Sequence, residues 1–89
     1  MRRPMVAGNW KMHGTRASVA ELIEGLCSQS LPGSVDIVVM PSSLFTFQVI
    51  DGLKATSIIV GAQDAAIQAE QGALTGEVAS SQLADAGCK

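Results

Sequence analysis

The chain contains no tyrosine, two phenylalanines and one tryptophan in 89 residues. Any core must therefore be built from aliphatic side chains. Cysteine is also scarce. Cys27 and Cys88 are far apart and lack metal-ligand spacing, which excludes a disulfide scaffold and a zinc ribbon. They read as reduced, partly buried thiols of a cytoplasmic protein. Charge is sparse at 16% of residues, with a net charge of −2 and the basic residues scattered. Nothing in that pattern offers an electrostatic footprint for nucleic acid. No apolar run approaches the roughly 18 residues of a membrane span. Arg2 and Arg3 resemble the start of a signal peptide, but Pro4, Gly8, Asn9 and Lys11 interrupt the apolar region that would have to follow.

What remains is a chain that is 47% hydrophobic. The length suits one small domain or a piece of a larger one, with a thin margin of stability. So few charges leave two readings open: a well-packed core, or a surface that expects a partner.

The apolar residues come in a repeating order. Met5-Val6-Ala7, bounded by Pro4 and Gly8, reads as a short buried strand. A loop from Asn9 to about Thr15 follows. Val19, Leu22, Ile23 and Leu26 then fall at i, i+3, i+4 and i+7, one face of a helix. Ser18 and Glu21 have capping-box spacing, and Thr15 is an equally good cap. Val35 to Met40 is a β-branched run suited to a strand covered on both faces. A second helix is expected from about Ser43 to Leu53, burying Phe45, Val49 and Leu53, with Gly52 weakening its end. Ser57 to Ala62 reads as a third strand. A long segment, 63–77, precedes a last helix over 80–86 with Gly87 as its stop. Cys88 and Lys89 would open a fourth strand.

The order is βαβαβα in about 25–30-residue units, which implies α/β architecture with a parallel sheet. Residues 1–89 read as a single partial unit. Three parallel strands cannot close on themselves, so both sheet edges would invite pairing with another chain.

In parallel α/β folds, binding and catalytic groups gather at the C-terminal ends of strands. The first strand ends in Gly8-Asn9-Trp10-Lys11-Met12-His13-Gly14. The Lys11 ammonium there suits a phosphate or a developing oxyanion, and the Asn9 amide can donate beside it. Equally, Lys11 can be a solvated loop lysine and Asn9 a turn residue. Trp10 reads as a packing residue, and His13 as a loop histidine without a carboxylate partner. Gly72-Ala73-Leu74-Thr75-Gly76-Glu77 fits no phosphate-loop pattern. Its apolar tip reads as a docking element or as a mobile loop. Asp64 is the one carboxylate near a strand end, where loop capping is its simplest role. No catalytic triad and no metal site can be assembled.

Four stretches together carry a family pattern. Ala7-Gly8-Asn9-Trp10-Lys11-Met12 resembles the signature closing the first strand of the triosephosphate isomerases. Gly61-Ala62-Gln63-Asp64 resembles that family's third strand end, Gly72 to Glu77 its third loop, and Asp85-Ala86-Gly87-Cys88 the approach to its fourth strand. The likeness runs in order along the whole chain and is nearest the bacterial type.

The resemblance implies an incomplete segment of a (β/α)8 barrel, the first three βα units. It implies an enzyme of glycolysis and gluconeogenesis that interconverts dihydroxyacetone phosphate and glyceraldehyde 3-phosphate without a cofactor. Asn9 and Lys11 would bind the substrate, and Lys11 would also counter charge on the enediolate. Leu74, Thr75, Gly76 and Glu77 would form an interface loop of a homo-oligomer, with Thr75 supporting a neighbour's first loop. The family's histidine electrophile and glutamate base would fall beyond Lys89, so isomerase activity is not expected of these 89 residues alone. Asp64 stands where the family usually has Asn, and Leu74 where Phe is common. Two further readings remain: a non-catalytic, self-assembling module, and an unrelated α/β phosphate-binding module.

Overall fold

A computed structural model describes residues 2–89. Three parallel strands, β1 (Met5–Asn9), β2 (Asp36–Met40) and β3 (Ile59–Val60), form one sheet in that order. They alternate with helices α1 (Arg16–Cys27), α2 (Thr46–Leu53) and α3 (Ser80–Ala86). This is the βαβαβα segment expected from the sequence, and the sheet is open.

Strand register divides the sheet into two faces. Val6 pairs with Ile37, Ala7 with Val38 and Asn9 with Met40, while Val38 pairs with Ile59 and Val39 with Val60. Side chains alternate along a strand. Val39 and Val60 thus turn to the helices, where they join Val19, Phe45, Val49, Leu53 and Ile58 in the core. Val38 is buried yet stands outside that cluster. With Met40 it lies over Gly61 on the opposite face.

Helix α1 begins at Thr15. Its hydroxyl accepts from the Ser18 N–H, and the Ser18 hydroxyl accepts from the Thr15 N–H. The box therefore closes on Thr15 and Ser18 rather than on Ser18 and Glu21. Of the predicted face, Val19 is fully buried, Ile23 and Leu26 are half-buried against the core, and Leu22 stays half-exposed on the open flank. Helices α1 and α2 approach closely at Gly52. A Cβ there would lie 2.7 Å from Ile23 Cγ2, so the glycine that weakens α2 is also what lets the two helices meet.

Three boundaries depart from expectation. The second helix opens as a 3-10 turn over Ser43–Phe45 before turning α-helical. Ser42 makes no side-chain cap there. Strand β3 is only two residues long, because β2 is its sole strand neighbour and pairs with it only at Val38 and Val39. Strand β1 runs through Asn9, but it is exposed along its whole length rather than buried. It lies at the sheet edge, where nothing covers Met5 and Val6, each 62% exposed.

Helix α3 ends as predicted. Gly87 takes a positive φ of 116°, its N–H bonds Ala84 O, and the Cys88 N–H bonds Leu83 O, the two bonds of a Schellman stop. The next residue returns to the sheet: the Lys89 N–H donates to Val60 O at 3.1 Å. Cys88 and Lys89 are not a strand in this structure, and this one backbone bond joins them to the edge of β3.

The result is a slab of 43 × 38 × 21 Å with a radius of gyration of 13.8 Å. A compact chain of this length has a radius of about 12 Å. The exposed area of 6488 Å² likewise exceeds the about 4,900 Å² of a folded monomer this size.

Candidate active site

The end of β1 is built by three separate parts of the chain. Asn9 leaves the strand and its Oδ1 accepts the Lys11 N–H at 2.8 Å, a turn in which the side chain substitutes for backbone. The Trp10 N–H continues the ladder to Met40 O, and its indole packs against the core. Trp10 is thus the packing residue the sequence indicates. Lys11 adopts a positive φ of 54°, alone among the non-glycine residues described. That conformation costs a residue with a Cβ roughly 1–2 kcal/mol.

What holds Lys11 there comes from the loop that follows β3. The Gln63 side-chain amide donates to Lys11 O at 2.8 Å and to Met40 O at 3.0 Å. One side chain thus ties the first loop to the end of β2. The loop closes at Gly14, whose positive φ of 126° lets it sit where a Cβ would come within 3.1 Å of Val19 and 3.3 Å of Phe45. The Gln48 amide, from α2, donates to Arg16 O just beyond. Lys11 is therefore exposed to solvent while its backbone is fixed on both sides.

Asn9 and Lys11 are joined through the Asn9 side-chain oxygen. Leu74, Thr75, Gly76 and Glu77 lie on a different loop. There the Glu77 N–H bonds Leu74 O, and Gly76 takes a positive φ of 82°, as the third residue of a type II turn does. The loop supports itself: the Ala66 N–H bonds Val78 O, and the Gln68 amide donates to Glu70 O and Gln71 O. Thr75 is exposed and Leu74 is 46% exposed at its tip.

Asp64 accepts from the Ala65 N–H at 2.9 Å and caps its own loop. A small cleft beside it, lined by Ser42, Ser43, Asp64 and Glu77, carries carboxylates and repels an anion. His13 is exposed and belongs to neither of the two ion pairs among the described residues, Arg3–Asp36 and Lys54–Asp51. No cluster of metal-ligating side chains occurs among the described residues. Both cysteines are free, and burial pushes the Cys88 thiol above its ordinary pKa. No helix of the described residues is long and apolar enough to cross a membrane.

The family model for triosephosphate isomerase matches residues 4–89. The chain belongs to the triosephosphate isomerase family. The "Triosephosphate isomerase" of Pseudomonas syringae pv. syringae (strain B728a) is 94% identical over 89 residues, all of this chain and 36% of the relative. Those of Pseudomonas entomophila (strain L48) and Pseudomonas putida (strain GB-1) are 70% and 68% identical over the same span. The chain thus corresponds to the N-terminal 36% of these isomerases.

Sequence reasoning placed Asn9 and Lys11 and missed Gln63 as the residue that orders them. Gln63 is 52 positions from Lys11, and no local spacing signals such a bond.

Proposed function

We propose that this chain supplies the first three βα units of a triosephosphate isomerase, with residues 1–89 as one partial barrel unit. In this reading Asn9 and Lys11 form part of the triose phosphate site of a cytoplasmic glycolytic enzyme that needs no cofactor. The observation that carries it is the Lys11 backbone. A non-glycine residue held left-handed at a strand's C-terminal end, fixed by Asn9 on one side and Gln63 on the other, has the cost expected of a preorganised site. With its backbone fixed, the ammonium meets a phosphate or an enediolate oxyanion without first ordering the loop. Lys11 counters charge and abstracts no proton. That step belongs to a base which the resemblance places beyond residue 89, so these 89 residues alone are inactive. The Leu74–Glu77 turn, self-supported and exposed, suits an interface in which Thr75 braces a neighbouring subunit's first loop.

The test is a chimera in which this chain replaces the matched segment of the Pseudomonas syringae relative. Isomerase activity is expected, with Lys11→Ala lowering turnover by roughly 100-fold or more. A chimera whose turnover is untouched by Lys11→Ala would remove Lys11 from the site.

A second reading is a non-catalytic, self-assembling module. The open sheet edges and the exposed Met5, Val6, Leu44 and Phe47 favour it. Light scattering at two micromolar concentrations decides: a well-folded monomer counts against self-assembly.

A further inference from the structure

The first loop carries a second ionisable group that the proposed chemistry does not use. His13 follows Lys11 by two residues, so their Cα atoms are at most about 7 Å apart. The loop is not free to alter that spacing. Asn9 Oδ1 holds the Lys11 N–H, and the Gln63 amide holds the Lys11 carbonyl. Just past His13, Gly14 takes its positive φ of 126° where a Cβ would crowd Val19 and Phe45. His13 thus rides on a short arc pinned at both ends, with its side chain exposed like that of Lys11.

Charge around this arc is one-sided. Residues 1–20 hold Arg2, Arg3, Lys11, His13 and Arg16 and no carboxylate; the first acidic residue is Glu21. Arg3 pairs with Asp36. Among the elements packed against the arc, α1 brings Arg16. Helix α2 brings only uncharged residues in its first turn, and its Asp51 and Lys54 pair with each other at 3.2 Å. The loop after β3 brings Asp64, whose carboxylate accepts from its own Ala65 N–H, and Glu77 lines the cleft beyond it. Neither His13 nor Lys11 belongs to an ion pair among the described residues.

We propose that His13 sets the anion affinity of the triose phosphate site: its imidazolium adds a second positive charge to that of Lys11 and tightens the hold on a doubly charged phosphate group. The proposal rests on the functional reading that places Lys11 in the site. His13 acts through space and needs no contact with the ligand. A unit charge about 10 Å from a dianion in water changes its affinity roughly threefold at about 10 mM salt. At about 0.1 M salt, where the screening length falls to about 10 Å, the change is less than about twofold. An imidazole changes charge between about pH 5 and 8. Protonation adds the favourable charge, so anion affinity falls as pH rises through that range.

The experiment uses the chimera with the Pseudomonas syringae relative, with sulfate as the probe. Sulfate stays doubly charged over this range, so only the protein's charge changes. Competitive inhibition by sulfate is measured at about pH 5.5 and about pH 8, each at about 10 mM and about 0.1 M salt. The proteins are the parent, His13→Gln, His13→Lys and Lys11→Ala, each checked by circular dichroism. At low salt, the parent's inhibition constant is expected to rise roughly threefold more with pH than that of His13→Gln. His13→Lys, whose charge is fixed, is expected to lose the extra rise and to bind sulfate more tightly than His13→Gln at both pH values. The differences are expected to shrink at the higher salt. Equal profiles for the parent and His13→Gln overturn the inference. So does a difference between them that salt leaves untouched, which marks a local structural effect instead of a charge. Sulfate inhibition that Lys11→Ala leaves unchanged overturns the functional reading; inhibition weakened by Lys11→Ala but indifferent to His13 overturns this inference alone.

Discussion

Gln63 and Lys11 are 52 residues apart in sequence and joined by a 2.8 Å hydrogen bond from the Gln63 amide to the lysine's carbonyl oxygen. The same amide also donates to Met40 O. The loop that carries Lys11 is thus ordered from the loop after the third strand, through one side chain. Gln63→Ala removes both bonds, each contributing about 0.5–1.5 kcal/mol. Faster amide exchange across residues 10–13 is expected, with the exchange of α2 unchanged. Equal exchange in both proteins would mean that the loop holds its shape without Gln63.

Gly52→Ala pits two effects against each other. Alanine improves helix propensity by up to about 1 kcal/mol. Its Cβ, however, would meet Ile23 Cγ2 at 2.7 Å, and that methyl sits on a β-branched side chain with little rotamer freedom in a helix. Overpacking of this kind costs about 1–3 kcal/mol. A net loss of about 1–2 kcal/mol is expected, read as a lower melting temperature. A stabilised variant would show that α1 yields freely.

Thr15→Ala opens the capping box at the start of α1. The Ser18 N–H loses its acceptor, at a cost of about 0.5–2 kcal/mol. Thr15→Ser keeps the hydroxyl and is expected to restore most of that loss in chemical denaturation. Glu21→Ala, by contrast, is expected to change little, since Glu21 takes no part in the box.

The two thiols differ in reactivity. Cys27 is exposed, whereas burial raises the pKa of Cys88. At a pH near 8, iodoacetamide is expected to label Cys27 well before Cys88, as peptide mass spectrometry would report. Because the folded pKa lies above the unfolded one, the Cys88 contribution to stability is present below the ordinary thiol pKa. It is lost as pH rises through the raised value. Labelling of Cys88 at the rate of Cys27 would contradict the burial.

The α/β order, the open parallel sheet and the α3 stop at Gly87 were legible in the sequence. Each depends on local pattern: β-branched runs, helical spacing and a glycine after the last turn. So were Asn9 and Lys11, as polar groups at a strand's C-terminal end. Burial of β1 was not legible, because Met5-Val6-Ala7 has the composition of a covered strand whether or not its cover is at hand. Leu22 misleads for the same reason: its helical spacing is that of a buried face, yet it is 50% exposed. The Gln63 bonds and the meeting of Gly52 with Ile23 depend on residues distant in sequence that pack only once the fold exists.

The most direct test is an isomerase assay on the purified, mass-verified 89-residue chain, with Lys11→Ala as the control. If Lys11 only counters charge and proton abstraction requires groups outside residues 1–89, neither protein turns over glyceraldehyde 3-phosphate above background. Turnover by the chain that Lys11→Ala abolishes would contradict this, and would place a working acid–base pair among the residues described.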